Sequence, residues 1–495
     1  MKNYTTVAQR YQKMSATRSQ YLRIAEKCAS FTLPYLFPPN KTADSTFVAP
    51  TQIQFTSAGA EATNFLANRL VTLLFPPNKA FFRAVVPDEI IKKQGASVTE
   101  VENVVARLEK TATSKFIASV SREHLLQACL HLIVGGNVCF IKQANGSRYF
   151  SLHNYVCRRA SSNGKLLRLI IKEKLDIESI PKEYLKYVPA DKLNRADIDD
   201  KNSRITLWTE AVWNTGSQKY VVTQYFEDTP VLRNVYSEED MPIMALTWTL
   251  LSGEDYGHGY CEDYLGSINS AGNLAEALTQ LSLVMSKITN LVNPASELAF
   301  NLEELSNSKS GDYFIGKEGD ITQVSSNKLA DMQAVMANYD MHVNTIRRAF
   351  LQNSAVQRDA ERVTAEEIRY MANELETSQG GIYSHLANTW QKQLARLSLT
   401  EALESLGENG KQLAKVLDIQ ILTGIESLSR TLESDSTLNF IQELTVLNNL
   451  PEWLLSTINI PNVVKRLATN SDMPNPQEVL VEQQSQQEST PQELA

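Results

Sequence analysis

The chain has 495 residues and is 43% hydrophobic, enough to bury a large core, and its length suggests about three or four domains. A net charge of −8 excludes a protein that coats nucleic acid, which would be basic. It leaves room for transient passage of DNA, because like charge repels and lubricates rather than grips. The five cysteines (Cys28, Cys129, Cys139, Cys157, Cys261) are scattered and lack Cys-x-x-Cys spacing. They fit buried thiols in a reducing compartment better than a disulfide framework.

The N-terminal residues carry no apolar signal core. The longest near-apolar run, Met241 to Leu251, is far shorter than the roughly 20 residues a bilayer needs. A soluble, non-secreted protein without a membrane partner is expected.

In chain order, residues 1–30 read as a polar helix that breaks at the aromatic, proline-punctuated Phe31 to Pro39. A second amphipathic helix runs from Thr56 to Phe75, with Phe65, Leu66, Leu70, Leu73 and Leu74 on one side, and Pro76-Pro77 stops it. A third helix spans Val98 to Val120, and a fourth begins near Arg122. The period then changes. Short β-branched and aromatic runs occur at 138–142, 148–152 and 166–172, separated by Asn145-Gly146 and Asn163-Gly164, and such Asn-Gly pairs signal hairpins. The pattern repeats at 204–213 and 219–227 around Thr215-Gly216. An antiparallel sheet inside a helical first half is predicted.

Residues 262–292 read as one long helix, with Ile268, Ala271, Ala275, Leu278, Leu281, Met285, Ile288 and Val292 spaced by threes and fours. It would be about 45 Å long, and Asn293-Pro294 would end it. Residues 295–327 suggest a small hairpin, with 312–315 and 320–324 as its strands around Gly316-Lys-Glu-Gly319. The return helix, 328–350, has a heptad seam of Leu329, Met332, Met336, Tyr339, Val343, Ile346 and Phe350. A polar loop follows. A helix over 363–406 opens with the capping-box spacing Thr364-x-x-Glu367 and is interrupted by Gly380-Gly381. Residues 411–470 read as short helices. The Gln-, Glu-, Pro- and Ser-rich residues from Met473 onward have too little apolar surface to order.

Catalytic signatures are missing. There is no G-x-x-x-x-G-K-[ST] loop, no H-E-x-x-H and no G-x-S-x-G. The six histidines never fall at metal-ligand spacing. Cys129 and His131 lack two further ligands and read as a core thiol and a helix-surface residue. No cofactor or metal is expected. The cluster Gly253-Glu-Asp-Tyr-Gly-His-Gly-Tyr-Cys261-Glu-Asp could hold a Cys–His nucleophile pair. Its plainer reading is a Gly-rich turn, with Glu262 and Asp263 complementing a helix N-terminus. Arg347, Arg348, Arg358 and Arg362 form a basic cluster around the polar loop. Arg347 and Arg348 could simply interact with a helix C-terminal dipole, and Arg358 and Arg362 could pair with Asp359, Glu361, Glu366 or Glu367.

The order of these parts resembles the portal (head–tail connector) proteins of short-tailed phages, the podoviruses. Leu351-Gln-Asn-Ser-Ala-Val-Gln-Arg358 and Glu361-Arg-Val-Thr-Ala-Glu-Glu-Ile-Arg-Tyr370 look like that family's most recognisable block. Tyr256-Gly-His-Gly-Tyr-Cys-Glu-Asp-Tyr-Leu-Gly266, Leu291-Val-Asn-Pro-Ala295, Tyr35-Leu-Phe-Pro-Pro39, Ala58-Gly-Ala60 and Leu73-Leu-Phe-Pro-Pro77 are also similar to it. His258 stands where the family would have a basic residue, often Arg. The likeness covers about residues 10–405 and implies an α+β, mainly α portal fold.

By that resemblance, residues 1–260 would form a wing, 261–292 and 328–350 the stem helices, and 293–327 a clip. Residues 351–362 would be a tunnel loop, 363–406 a long kinked wing helix, 407–470 a crown and 471–495 a disordered tail. The implied protein is not an enzyme. It is a ring of about twelve subunits at one capsid vertex of the virion, present in the host cytoplasm during assembly. Double-stranded DNA would be packaged and ejected through it. The large terminase and then tail adaptor proteins would dock on the clip, and major capsid and scaffold proteins would surround it. Asn353, Gln357, Arg358 and Arg362, with Arg347 and Arg348, are expected to line the DNA channel. Lys309, Asp312, Lys317 and Glu318 are expected on the docking face of the clip. The alternatives are another capsid or scaffold protein, or a thiol hydrolase using Cys261.

Overall fold

The computed structural model describes residues 6–39, 54–77, 80–86, 98–188, 204–286, 289–295, 298, 302–309, 312–313, 315, 317–324, 329–352, 381–404 and 418–421. Its helices, in chain order, are α1 (Val7–Phe31), α2 (Ala58–Leu74), α3 (Val98–Ser119), α4 (Arg122–Gly135), α5 (Tyr260–Asp263), α6 (Leu265–Ser286), α7 (Leu302–Ser306), α8 (Leu329–Ala349), α9 (Ile382–Leu386) and α10 (Lys392–Glu404). Its strands are β1 (Phe82–Val85), β2 (Asn137–Gln143), β3 (Gly146–Phe150), β4 (Tyr155–Arg159), β5 (Leu166–Asp176), β6 (Arg204–Asn214), β7 (Lys219–Phe226), β8 (Thr229–Tyr236), β9 (Ile243–Thr247), β10 (Thr289–Val292), β11 (Ile321–Val324) and β12 (Asp418–Ile421). The fold is α+β, as expected. It forms two compact units, one of Met1–Val71, Ser114–Gln357 and Arg396–Ala402, the other of Thr72–Thr113, Arg358–Ala395 and Leu403–Ala495.

The first unit is organised on two antiparallel sheets, with strand orders β3-β2-β9 and β4-β5-β6-β7-β8. Both Asn-Gly pairs sit at turns, the first joining β2 to β3 and the second lying between β4 and β5. Strands β4, β8 and β9 escape the sequence reading. Strands β4 and β9 are only five residues long, and β8 carries Pro230, which argues against a strand in sequence.

Helix α1 opens with a capping box, Thr6 Oγ1 accepting from Gln9 N at 3.3 Å while Gln9 Oε1 accepts from Thr6 N at 3.2 Å. Its polar residues fasten it to the sheet. Arg10 grips the buried Glu210 of β6 with two hydrogen bonds, at 3.0 and 2.6 Å. Tyr11 packs edge-on to Trp208 with ring centroids 5.2 Å apart. Arg18 Nη1 donates to the carbonyls of His153 and Tyr155.

Helix α4 is buried continuously from Ala128 to Gly135, as expected of a helix apolar all round. His131 is therefore a core residue, contrary to the helix-surface expectation. Its ring meets Phe37 edge-on at 5.0 Å and Tyr149 at 5.7 Å.

The expected single helix over 262–292 is corrected at both ends. Tyr264 separates the short α5 from α6, and α6 stops at Ser286 after 22 residues. At roughly 1.5 Å per residue it is about 33 Å long rather than 45 Å. Thr289–Val292 is a strand, paired antiparallel with Ile321–Val324. The expected partner, 312–315, is not a strand among the described residues. A run such as Thr-Asn-Leu-Val satisfies either period, and the facing strand decides it.

Helices α6 and α8 pack together. Ile268, Ala271 and Ala275 of α6 are buried, as are Val343 and Ile346 of α8 and the adjoining Phe350. Further from this root the seam residues Leu278, Leu281, Met285, Met332 and Tyr339 are half-buried, while Leu283 (61%), Val284 (54%) and Met341 (56%), off these seams, and Met336 (53%) are exposed.

In the second unit β1 pairs with β12, so residues 418–421 are extended rather than helical as the spacing suggested. Gly381 adopts φ +85° ahead of α9, so a glycine does punctuate the chain there. Residues 363–380, including the Thr364–Glu367 box, lie outside the described residues. A π-helical turn over Ala387–Gln391 turns Trp390 and Gln391 inward together. Trp390 meets Phe75 at 5.1 Å, and Tyr383 Oη and Gln391 Nε2 donate to the carbonyls of Leu73 and Leu74 at the end of α2.

One ion pair within the first unit invites a stability test. The fully buried ammonium of Lys142 on β2 lies 2.5 Å from Glu401 Oε1 on α10. Removing one partner of a buried pair leaves the other charge uncompensated. Glu401→Ala is therefore expected to cost about 3 kcal/mol in denaturant unfolding, and adding Lys142→Met should restore most of it.

Candidate nucleic-acid interface

The α6–α8 pair carries few charges. Among its residues α6 has Glu276 alone, while α8 has Asp331, Asp340 and His342 before Arg347 and Arg348 in its last turn. The pair is thus weakly acidic along its length and basic at one end. Arg347 and Arg348 are exposed and make no ion pair among the described residues. Their position suits the negative end of the helix dipole, and it leaves both guanidinium groups free to meet phosphate.

The end of α8 is firmly built. Gln352 N donates to Arg347 O at 2.8 Å and Leu351 N to Arg348 O at 3.2 Å, the two bonds of a Schellman cap. Such a cap needs a left-handed residue, normally Gly, but here it is Leu351 at φ +61°. For a leucine that conformation is unfavourable by about 1–2 kcal/mol, so its surroundings must hold it. Leu351 is buried, and its carbonyl accepts from the buried Arg69 Nη1 at 2.8 Å. Tyr260 Oη donates to Ala349 O at 2.9 Å, and the Tyr260 ring meets Phe350 at a tilt with centroids 5.0 Å apart. Side chains from α2 and α5 therefore receive the carbonyls that the helix end leaves open. No sequence pattern signals this anchor, because Arg69 and Leu351 lie 282 positions apart. Asn353, Gln357, Arg358 and Arg362 lie outside the described residues.

At the other end of the helix pair, Lys309, Asp312, Lys317 and Glu318 are all exposed. Lys309 N donates to Asp312 Oδ2 and Lys317 N to Asp320 Oδ2, each at 2.6 Å. Asp312 thus orders its own turn. Tyr313 and Ile315, which the sequence reading overlooked as surface residues, are 100% and 84% exposed.

The Cys–His pair does not form. Cys261 is fully buried, its Sγ is 3.8 Å from Thr63 Oγ1, and burial pushes its thiol far above the ordinary range. Both ring nitrogens of His258 face carboxylates instead. Among the described residues no group of three His, Cys, Asp or Glu side chains could hold a metal ion, and no helix is long and apolar enough to cross a membrane.

Comparison with known proteins supplies the context. The family described as "Bacteriophage head to tail connecting protein" matches residues 4–478. The chain is 31% identical over 447 residues to the portal protein of Enterobacteria phage SP6, covering 89% of this chain and 84% of that one. It is 28% identical to the portal protein of Escherichia phage T7 over 98% of this chain and 90% of the relative, and 30% identical to that of Pseudomonas phage phiKMV over 88% and 84%. A solved assembly, the neck of an empty GTA particle computed with C6 symmetry, aligns over 81% of this chain and 90% of its own at 9% identity and a TM-score of 0.38, too loosely to bear on the fold. The match along nearly the whole chain settles the family: this protein belongs to the bacteriophage head-to-tail connecting proteins.

Proposed function

We propose that copies of this chain form a closed ring at one vertex of a phage capsid, and that double-stranded DNA is packaged and ejected through the ring's axis. The observation that carries this reading is the likeness to portal proteins of several short-tailed phages over most of the chain's length. Exposed apolar side chains on the α6–α8 pair support it. Leu283, Val284, Met336 and Met341 are apolar surface left exposed on a helix pair whose facing seam is buried or half-buried. A neighbouring copy, repeated by a rotation that closes, would cover them.

The charge pattern suits DNA that must slide. Duplex DNA presents one negative charge per about 1.7 Å of axis, so a channel as long as α6 would hold roughly twenty phosphates. A strongly basic wall would release as many counterions and bind too tightly for movement. Helices bearing Glu276, Asp331 and Asp340, with Arg347 and Arg348 only at one end, resist such binding and concentrate attraction at one level. Arg358 and Arg362, with Asn353 and Gln357, would extend that level into a tunnel loop.

At the far end, the exposed Tyr313 and Ile315, flanked by Lys309, Asp312, Lys317 and Glu318, offer a mixed apolar and charged face. It suits successive docking of the large terminase and tail adaptor proteins. A ring of about a dozen subunits, with capsid and scaffold proteins around its outer domain, completes the reading. It would assemble in the host cytoplasm.

Two tests separate its parts. Met336→Asp with Leu283→Asp should leave the monomer folded by circular dichroism but abolish closed rings in electron micrographs viewed down the axis; rings that persist would remove this apolar surface from the interface. Phage carrying Arg358→Ala plus Arg362→Ala should package or retain less DNA, and normal packaging and retention would exclude the arginines from the channel.

A further inference from the structure

His258 lies in the loop between β9 and α5, where the sheet hands the chain to the helix pair. Its Nδ1 is 2.9 Å from Glu262 Oε2 and its Nε2 is 2.9 Å from Glu254 Oε2. A neutral imidazole has one N–H and can donate to only one of these carboxylates, whereas the imidazolium donates to both.

The ring has little freedom to turn away. His258 N donates to Thr249 O at 2.8 Å and Thr249 N to His258 O at 3.3 Å, so its backbone is tied to the strand side. On either side, Gly257 and Gly259 sit where a Cβ would be 2.8 Å from Thr247 Cβ and 2.7 Å from Val134 O.

The surroundings are acidic. Glu254 and Asp255 come from the loop, and Glu262 and Asp263 from α5. From α1, Tyr21 lies against the ring with centroids 5.7 Å apart. Burial and the nearby carboxylates push the Tyr21 phenol up to about 12. Cations stand further round. The Arg159 guanidinium donates through Nε to the Asp255 carbonyl at 3.2 Å, and its backbone N–H donates to Asp255 Oδ1 at 2.6 Å, while Arg18 acts on Tyr256 and Lys27 on Cys28. Neither Glu254 nor Glu262 makes an ion pair with a lysine or arginine among the described residues.

We propose that His258 is a proton-operated positioning residue. As the imidazolium it pins Glu254 of the loop and Glu262 of α5 together, and on losing its proton it releases one of them and loosens the entry to the helix pair. Burial opposes the charged ring, but bonding and attraction from Glu262 and Glu254 outweigh it and raise the His258 pKa. The stabilisation is therefore complete below the ordinary histidine value of about 6.5 and is lost as pH rises through the raised value. The lock belongs to the chain itself and stands or falls apart from the ring reading.

Slow exchange of the imidazole C2 proton for deuterium, read by mass spectrometry on the full chain, measures the His258 pKa directly. It should lie above about 6.5 and fall in Glu254→Gln/Glu262→Gln. Backbone exchange across residues 250–264, corrected for its intrinsic pH dependence, should rise about fivefold through that pKa. In His258→Gln it should be fast at every pH and show no step. A wild-type pKa at or below the ordinary value overturns the proposal without relying on any variant. So does an equal exchange step in His258→Gln.

Discussion

The junction of sheet and helix pair in the first unit depends on a crossing of two backbones at Asn137. That side chain is 1% exposed. Its Nδ2 donates to Gly257 O at 2.6 Å and Gly135 O at 2.9 Å, and its Oδ1 accepts from Gly257 N at 2.8 Å. The amide thus replaces, for a loop that cannot join the sheet, the pairing that a strand would have given it. The approach is so close that a Cβ on Gly136 would fall 2.3 Å from His258 C. Gly136 is also left-handed, at φ +68°, closing α4 before β2 begins. One glycine therefore ends a helix, starts a strand and admits the loop that leads to α6.

From that crossing the rest follows outward. The loop fixes Tyr260, Tyr260 receives the carbonyl of Ala349, and Arg69 receives that of Leu351. Both ends of the long-helix excursion are thereby held at one place: α6 leaves it and α8 returns to it. Between them the pair has its own core only near this root. Full burial is concentrated where the excursion begins, and apolar side chains stay exposed on its outer faces. That exposed apolar surface is what an element completed by its neighbours requires, because a helix pair polar on every outer face would leave nothing for the next copy to pack against.

The sequence displayed this architecture where periods were long and lost it where they were short. The heptad seam from Leu329 to Phe350 maps onto α8, and the Asn-Gly pairs mark real turns. Thr289–Val292 was absorbed into the preceding helix because its pattern fits both periods, and four residues cannot outvote a partner strand hundreds of atoms away. The capping box expected at Thr364 falls outside the described residues, while an unremarked one, Thr6-Val-Ala-Gln9, opens α1. Arg347 and Arg348 were legible from their place in a helix's last turn. Arg69, Leu351 and the two carboxylates on His258 were not, since each owes its role to a partner brought close by folding or to a backbone angle that no residue type announces.

The cysteines give the chain a further property. All five are buried, none more than 3% exposed, and burial raises every one of their thiols, Cys28 and Cys157 to about 12. Thiolate is the reactive form, so the folded chain is nearly invisible to alkylating reagents. The native protein thus supplies a silent background for labelling chemistry. A cysteine introduced at the fully exposed Tyr313 would carry a spectroscopic probe at a single chosen site, and the five natural thiols would become reactive only as their own surroundings come apart.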